Sequence, residues 1–119
     1  MWKWYKPEPK SKYKNRRVNI EGMRFDSEAE FRRWNELRTL ELCGEIKDLR
    51  RQVPFELIPN VKKKDGHIVR KVVYFADFVY IENGETVVED VKGAVTEVYK
   101  IKKKLMLWRY GIEIKEVRA

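Results

Sequence analysis

The sequence predicts a single α/β domain of the α+β kind, in which a hairpin and a helix precede three strands, a second helix and a last strand. Three observations predict it. Apolar residues recur at helical spacing in two separate segments, and Val-, Tyr- and Phe-rich runs bounded by turn residues lie between them. The 119 residues suffice for one core of a sheet and a few helices, but not for two.

Residues 1–16 are expected to form a basic, aromatic N-terminal arm, and residues 17–119 the domain. Met1 to Arg24 carry eight Lys/Arg against two Asp/Glu, which is most of the formal +8 of the chain. Trp2, Trp4, Tyr5 and Tyr13 interleave these bases, so the arm could contact phosphates and stack on bases, with Lys12, Lys14 and Arg16 nearest the domain. A solvated tail is the alternative reading for a chain terminus.

The first element of the domain is a short hairpin, Arg17 to Ile20 and Met23 to Phe25, turning at Glu21-Gly22. Ser27 with Glu30 three residues later has the form of a capping box, so a helix starts near Glu28. Phe31, Trp34, Leu37, Leu40 and Cys43 recur along that helix, and Gly44 stops it. Ile46 to Leu57 reads as an extended segment whose Pro54 assigns it to an edge or an irregular strand. Pro59 to Gly66 is a basic loop. Ile68 to Ile81 is the next strand, and Asn83-Gly84 is a strong two-residue hairpin signal, from which Thr86 to Lys92 returns. Thr96 caps a second helix with Val98, Ile101, Leu105 and Trp108 on its inward face. Gly111 ends it, and Ile112, Ile114 and Val117 mark the last strand, reached by a crossover expected to be right-handed.

The balance of 27 Lys+Arg against 19 Asp+Glu favours a polyanionic partner, with nucleic acid the default. The single Cys43 excludes an internal disulfide and a cysteine zinc site, and a buried structural thiol is expected there. The lone His67, in a polar segment, leaves no material for a His cluster or a His-dependent nucleophile. No long apolar run or signal peptide is present, so a cytoplasmic protein that does not enter a membrane is expected.

The returning strand Thr86-Val87-Val88-Glu89-Asp90-Val91-Lys92 carries charge where a packed strand should be apolar. A two-residue turn at Asn83-Gly84 opposes Glu82 to Glu85, Tyr80 to Val87 and, further along, Asp77 to Asp90. Opposed side chains share a face with Cβ atoms about 5 Å apart, and like charges there repel. Lys92 lies on the same face one pleat along, so two acids and an amine converge. A hard divalent cation fits this set, since Mg²⁺ takes oxygen ligands and keeps several waters. The alternatives are a buried ion cluster neutralised by Lys92 and a sheet face open to solvent. Phe75, Val79 and Val88, expected on the same face, argue against the second, and the cost of desolvating three charges against the first. Glu30, on the edge of the first helix's inward face, is a fourth candidate, although the capping box alone accounts for a glutamate there.

Tyr74-Phe75-Ala76-Asp77-Phe78, a hairpin, and Val88-Glu89-Asp90-Val91-Lys92-Gly93 together resemble the PD-(D/E)XK nuclease superfamily, with Asp90-Val91-Lys92 matching its (D/E)XK element. Phe25-Asp26-Ser27-Glu28-Ala29-Glu30, Arg51-Gln52-Val53-Pro54-Phe55 and Lys102-Lys103-Lys104-Leu105 resemble a mostly phage-borne branch of it. The departure is Ala76, where the superfamily name has proline. The resemblance covers most of Arg17 to Val117 and implies a restriction-endonuclease-like core, a mixed sheet of this same succession flanked by helices. It further implies that Asp77 and Asp90 bind Mg²⁺ or Mn²⁺ with the backbone carbonyl of Val91, that Glu30 is the acid supplied by the first helix, and that Lys92 is the catalytic lysine.

The function expected on these grounds is metal-dependent endonucleolytic cleavage of DNA, selective for branched structures such as four-way (Holliday) junctions, as a homodimer, in the host cytoplasm if phage-encoded. Lys63 in the basic loop, with Tyr99, Lys100 and Lys103 on the second helix, would clamp the DNA backbone, and Gln52 would support the site. The alternatives are a catalytically inactive nucleic-acid-binding module and a sequence-specific restriction-type nuclease. The complete set Glu30, Asp77, Asp90 and Lys92 speaks against the first, and the absence of segments for base readout against the second.

Overall fold

The computed structural model describes residues 18–20 and 22–119. The N-terminal arm with Lys12, Lys14 and Arg16 lies outside the described residues. Strands β1 (Val18–Ile20) and β2 (Met23–Phe25) form the first hairpin. Helix α1 (Glu28–Leu42) follows, its first turn held by Ser27 Oγ, which accepts from the Glu30 amide at 3.1 Å. The main sheet has the order β3–β6–β7–β8, built from β3 (Lys47–Ile58), β6 (Val72–Glu82), β7 (Glu85–Lys92) and β8 (Lys115–Arg118). The pairs β3–β6 and β6–β7 are antiparallel, and β7–β8 is parallel across helix α2 (Glu97–Tyr110). The fold is therefore α+β, with a mixed four-stranded sheet between two helices.

The hairpin at Asn83-Gly84 has the expected register, with Glu82 opposite Glu85, Tyr80 opposite Val87 and Phe78 opposite Glu89. Asn83 and Gly84 both adopt positive φ, as a primed two-residue turn requires. On one face of the sheet Phe78 and Tyr80 pack with Leu37 of α1 and Ile46, and Trp34 stacks on Phe78 at 6.2 Å. On the other, Tyr74, Ala76, Val79 and Val88 pack with Tyr99 and Met106 of α2 and with Ile114. Each such buried side chain contributes on the order of 2 kcal/mol.

β3 is an edge strand, as its proline predicts, with register shifts between Lys47 and Arg50 and between Glu56 and Ile58, and with positive φ at Asp48 and at Gln52. Several expectations are corrected. Cys43 is exposed at the C-cap of α1 rather than buried, because the helix ends there and Gly44 turns the chain away. The segment Pro59 to Gly66 is not a simple loop: β4 (Val61–Lys62) pairs with β5 (Ile68–Val69), so the expected strand Ile68 to Ile81 is split before β6. The inward face of α2 is rotated from the predicted one. Tyr99 and Met106 are buried, whereas Ile101 and Trp108 are exposed, because a tyrosine with a polar partner at its tip outcompetes an aliphatic stripe for the core. β8 begins only at Lys115, and Ile112 and Ile114 pack from the preceding segment. No helix among the described residues is long and apolar enough to cross a membrane.

Candidate functional site

β6 and β7 stop pairing beyond Phe78 and Glu89. One position further, the backbone ladder is replaced by a side chain: Asp77 Oδ2 accepts from the Val91 amide at 2.8 Å. The alternation of β6 slips at the same place, since Ala76 joins the α2-side cluster while Phe78 joins the α1-side cluster. The local parting of the strands opens a cleft of about 350 Å³, lined from β6 and β7 by Tyr74, Phe75, Asp77, Asp90 and Lys92. Phe75, expected to help cover this face, is half exposed at its rim, while Val79 and Val88 are buried.

Asp77 and Asp90 meet in this cleft. Burial is the largest cause of a shift that pushes the Asp77 carboxyl up to about 9, followed by its hydrogen bond with Asp90 and the charge of that neighbour. The charge of Glu30 adds to the rise, and the Val91 amide opposes it. Asp90 is buried and accepts from the Tyr74 hydroxyl at 2.7 Å. Lys92 Nζ lies 3.5 Å from the same Asp90 oxygen and 4.0 Å from the centre of the Tyr99 ring. The ammonium is thus held between a carboxylate and an aromatic face.

Glu30 and Gln52 extend the site on its other side. Gln52 falls opposite Asp77 in the β3–β6 register, between the pairs Arg51–Phe78 and Val53–Ala76. Its φ of 50° is a left-handed conformation uncommon for a side chain of this size. The twist aims its amide into the cleft, where Nε2 donates to Asp77 Oδ1 at 3.2 Å and to Glu30 Oε2 at 3.0 Å. Strained backbone of this kind costs about 1–3 kcal/mol and persists where surrounding structure imposes it. The other oxygen of Glu30 accepts from the Asp26 amide at 3.2 Å, and Arg51 Nη2 lies 3.8 Å from Oε2. Burial, above all, raises the Glu30 carboxyl. One glutamate therefore serves both the helix start and, through Gln52, the support of the site.

The structure brings Asp77, Asp90, Val91 and Lys92 together and joins Glu30 to them through Gln52. Of the expected DNA clamps it brings Tyr99 to the cleft, but not Lys63, Lys100 or Lys103. Tyr99 is buried, with its ring beneath Lys92 and its hydroxyl donating to Glu116 at 2.8 Å, so it supports the lysine instead. Lys100 pairs with Glu97 at 3.0 Å and Lys103 with Glu116 at 2.9 Å. Lys63 lies near the tip of the β4–β5 hairpin. Sequence reasoning missed Tyr74 and Lys102. Lys102 lines the cleft, and burial with the charge of Lys92 lowers its pKa. Its spacing three residues after Tyr99 was the available signal.

Glu89 belongs to the opposite face. Fully buried, it accepts from Arg33 Nε at 2.8 Å and Nη2 at 2.7 Å and from the Tyr80 hydroxyl, with Lys115 Nζ 3.9 Å away. Its partners on α1 and β8 were not legible from the strand alone.

The donor set of the cleft is oxygen only, which suits a hard cation. Among the described residues, no three His, Cys, Asp or Glu side chains converge to hold a metal ion by themselves. Two aspartates, however, are the protein share of an Mg²⁺ site that keeps water and takes substrate oxygens. The residues therefore fit a two-carboxylate cation site, with Glu30 set behind Gln52.

A family model described as a protein of unknown function (DUF1064) matches residues 10–118. No curated protein and no solved structure matches the chain. The chain belongs to the DUF1064 family.

Proposed function

We propose that this member of a family without an assigned function is a metal-dependent DNA endonuclease, acting on branched DNA as a homodimer. One observation carries the reading: a buried Asp90 and a half-buried Asp77 are crowded together beside a lysine in an open cleft, and a strained Gln52 is aimed at Asp77. Groups forced together against their own electrostatics cluster at catalytic sites.

Asp77 and Asp90 would hold Mg²⁺ or Mn²⁺, with the Val91 carbonyl that the resemblance adds. A bound cation would supply Lewis-acid activation of water and stabilisation of charge on the scissile phosphate. Gln52 and the Val91 amide fix the Asp77 carboxylate from two directions, and the Tyr74 hydroxyl fixes that of Asp90. Lys92 keeps its ammonium at the edge of the cleft, where it can orient the attacking water or stabilise the phosphoryl oxygens. Lys102, on the same wall, adds positive potential for the incoming backbone.

A second reading is a DNA-binding module without cleavage. It is favoured by the absence, among the described residues, of three converging ligands. The two are separated by incubating wild type, Asp90→Asn and Lys92→Ala with a four-way junction, a matching duplex and a single strand, each with Mg²⁺, Mn²⁺ or EDTA. Metal-dependent cutting lost in both variants is expected. DNA shifted on a native gel but uncut under every metal would replace the nuclease reading with the second one.

A further inference from the structure

Every residue from Ile58 to Lys71 is exposed, yet the segment is an ordered hairpin. Val61 pairs with Val69 and Lys62 with Ile68. At the tip, Gly66 donates to the Lys63 carbonyl at 3.0 Å and Lys63 donates to the His67 carbonyl at 2.8 Å. Gly66 has a φ of 93°, so the tip is a three-residue turn that needs glycine. At the neck, the Lys71 amide donates to Asn60 Oδ1 at 2.7 Å, and Ile58 pairs with Val72. The base is clamped by the end of α2, where Arg109 Nη1 donates to the Leu57 carbonyl at 3.1 Å and the Tyr110 hydroxyl to that of Glu56 at 2.6 Å.

A hairpin that buries none of its side chains contributes little to the core, and an isolated two-stranded ribbon is marginal in water. Its composition points to a ligand. Lys62, Lys63, Lys64, Arg70 and Lys71 stand against one acid, Asp65, with Val61, Ile68 and Val69 exposed between them. Helix α2 starts at the cleft, which Thr96, Val98 and Lys102 line, and ends at the base of this ribbon.

We propose that the β4–β5 hairpin is a DNA-binding ribbon that lies in the major groove of the duplex arm beside the cleft. The groove admits a two-stranded ribbon, and five cations along it match the phosphates on both sides. The inference rests on the nucleic-acid part of the function proposed above, not on its cleavage step. Distance along β6 sets the register. Val72, where β6 begins and the ribbon ends, is five residues from Asp77, or about 17 Å at the rise of an extended strand. At about 3.4 Å per nucleotide, the ribbon protects the duplex from about five base pairs outward of the phosphate at the cleft, on one side only.

The test compares the full-length wild type with a variant carrying Lys62→Gln, Lys63→Gln, Lys64→Gln, Arg70→Gln and Lys71→Gln. Binding to a four-way junction and a matching duplex is measured in EDTA over a range of salt, with hydroxyl-radical footprints and, separately, cleavage with Mg²⁺. The variant is expected to melt with the wild type, since each altered side chain is exposed. It should bind at least tenfold more weakly at about 0.1 M salt, with the log–log salt slope smaller by about three, and lose the off-centre protection. An unchanged slope and footprint, or a wild type that does not bind DNA, overturns the ribbon. Cleavage that persists while the ribbon has no effect removes this inference alone. A ribbon effect on binding with no cleavage under any metal removes the nuclease reading and leaves the ribbon standing.

Discussion

Removing the guanidinium of Arg33 isolates the deepest charge in the fold. Glu89 is fully buried, and Arg33 supplies two of its bonds, at 2.8 and 2.7 Å. Arg33→Ala leaves that carboxylate with the Tyr80 hydroxyl and with Lys115 Nζ at 3.9 Å. Breaking a buried pair from one side costs about 3–5 kcal/mol, and the remaining partners place this case near the lower end. The 119-residue chain has an unfolding entropy of roughly 0.25 kcal/mol/K, so a loss of about 3 kcal/mol lowers Tm by about 12 °C. Urea unfolding followed by tryptophan fluorescence would measure it, with an unchanged m-value confirming that only stability moved. Replacing both partners by apolar residues, Arg33→Met with Glu89→Leu, should return most of the loss. A deficit under about 1 kcal/mol for Arg33→Ala would refute the argument, because Glu89 would then have no need of its partner.

Two further perturbations probe the cleft side. Gln52→Gly relieves a left-handed φ of 50° but deletes the bonds to Asp77 and Glu30. The two effects nearly offset, so denaturant stability should stay within about 1 kcal/mol of wild type while cleavage falls tenfold or more. Equal losses in both would show that Gln52 is structural only. Asp77 gives a pH signature in EDTA. Its carboxyl is raised in the folded protein to about 9, so between that pH and the ordinary carboxylate range the native state holds a proton that the unfolded chain has released. Stability should therefore fall as pH rises, by at least about 1 kcal/mol from pH 5 to 8, and Asp77→Asn should flatten the profile. A wild-type profile that rises over this window would contradict the crowding of the two aspartates.

The parts legible in the sequence are those fixed by local chemistry. Asn83-Gly84 admits essentially one kind of hairpin, and the register it imposes carries Asp77 toward Asp90 without any knowledge of the rest of the fold. Ser27 and Thr96 cap the two helices for equally local reasons. What was not legible depends on partners distant in the chain. Val98, Ile101, Leu105 and Trp108 form a regular stripe, yet Ile101 and Trp108 stay exposed while Tyr99 turns into the core, where Glu116 meets its hydroxyl and Lys92 its ring. The two-residue strands of the ribbon are too short for any periodicity to register. Tyr74 reaches Asp90 because β6 slips its alternation, which no strict pattern of inward and outward residues foresees.

The charges of β7 divide by face, and the two faces are balanced differently. On the α1 side one acid, Glu89, meets Arg33 and Lys115. On the α2 side Lys92 approaches Asp90, and the charges of Asp90 and Glu30 add repulsion at Asp77. A cluster evolved only to hold the sheet would be expected to resemble the first face, with its acid fully partnered. The second keeps an excess of carboxylate oxygen beside open solvent, stabilised by a tyrosine hydroxyl, a glutamine amide and one backbone amide. That asymmetry within a single strand is the physical ground for the proposal that Asp90 serves chemistry while Glu89, one residue away, holds the sheet.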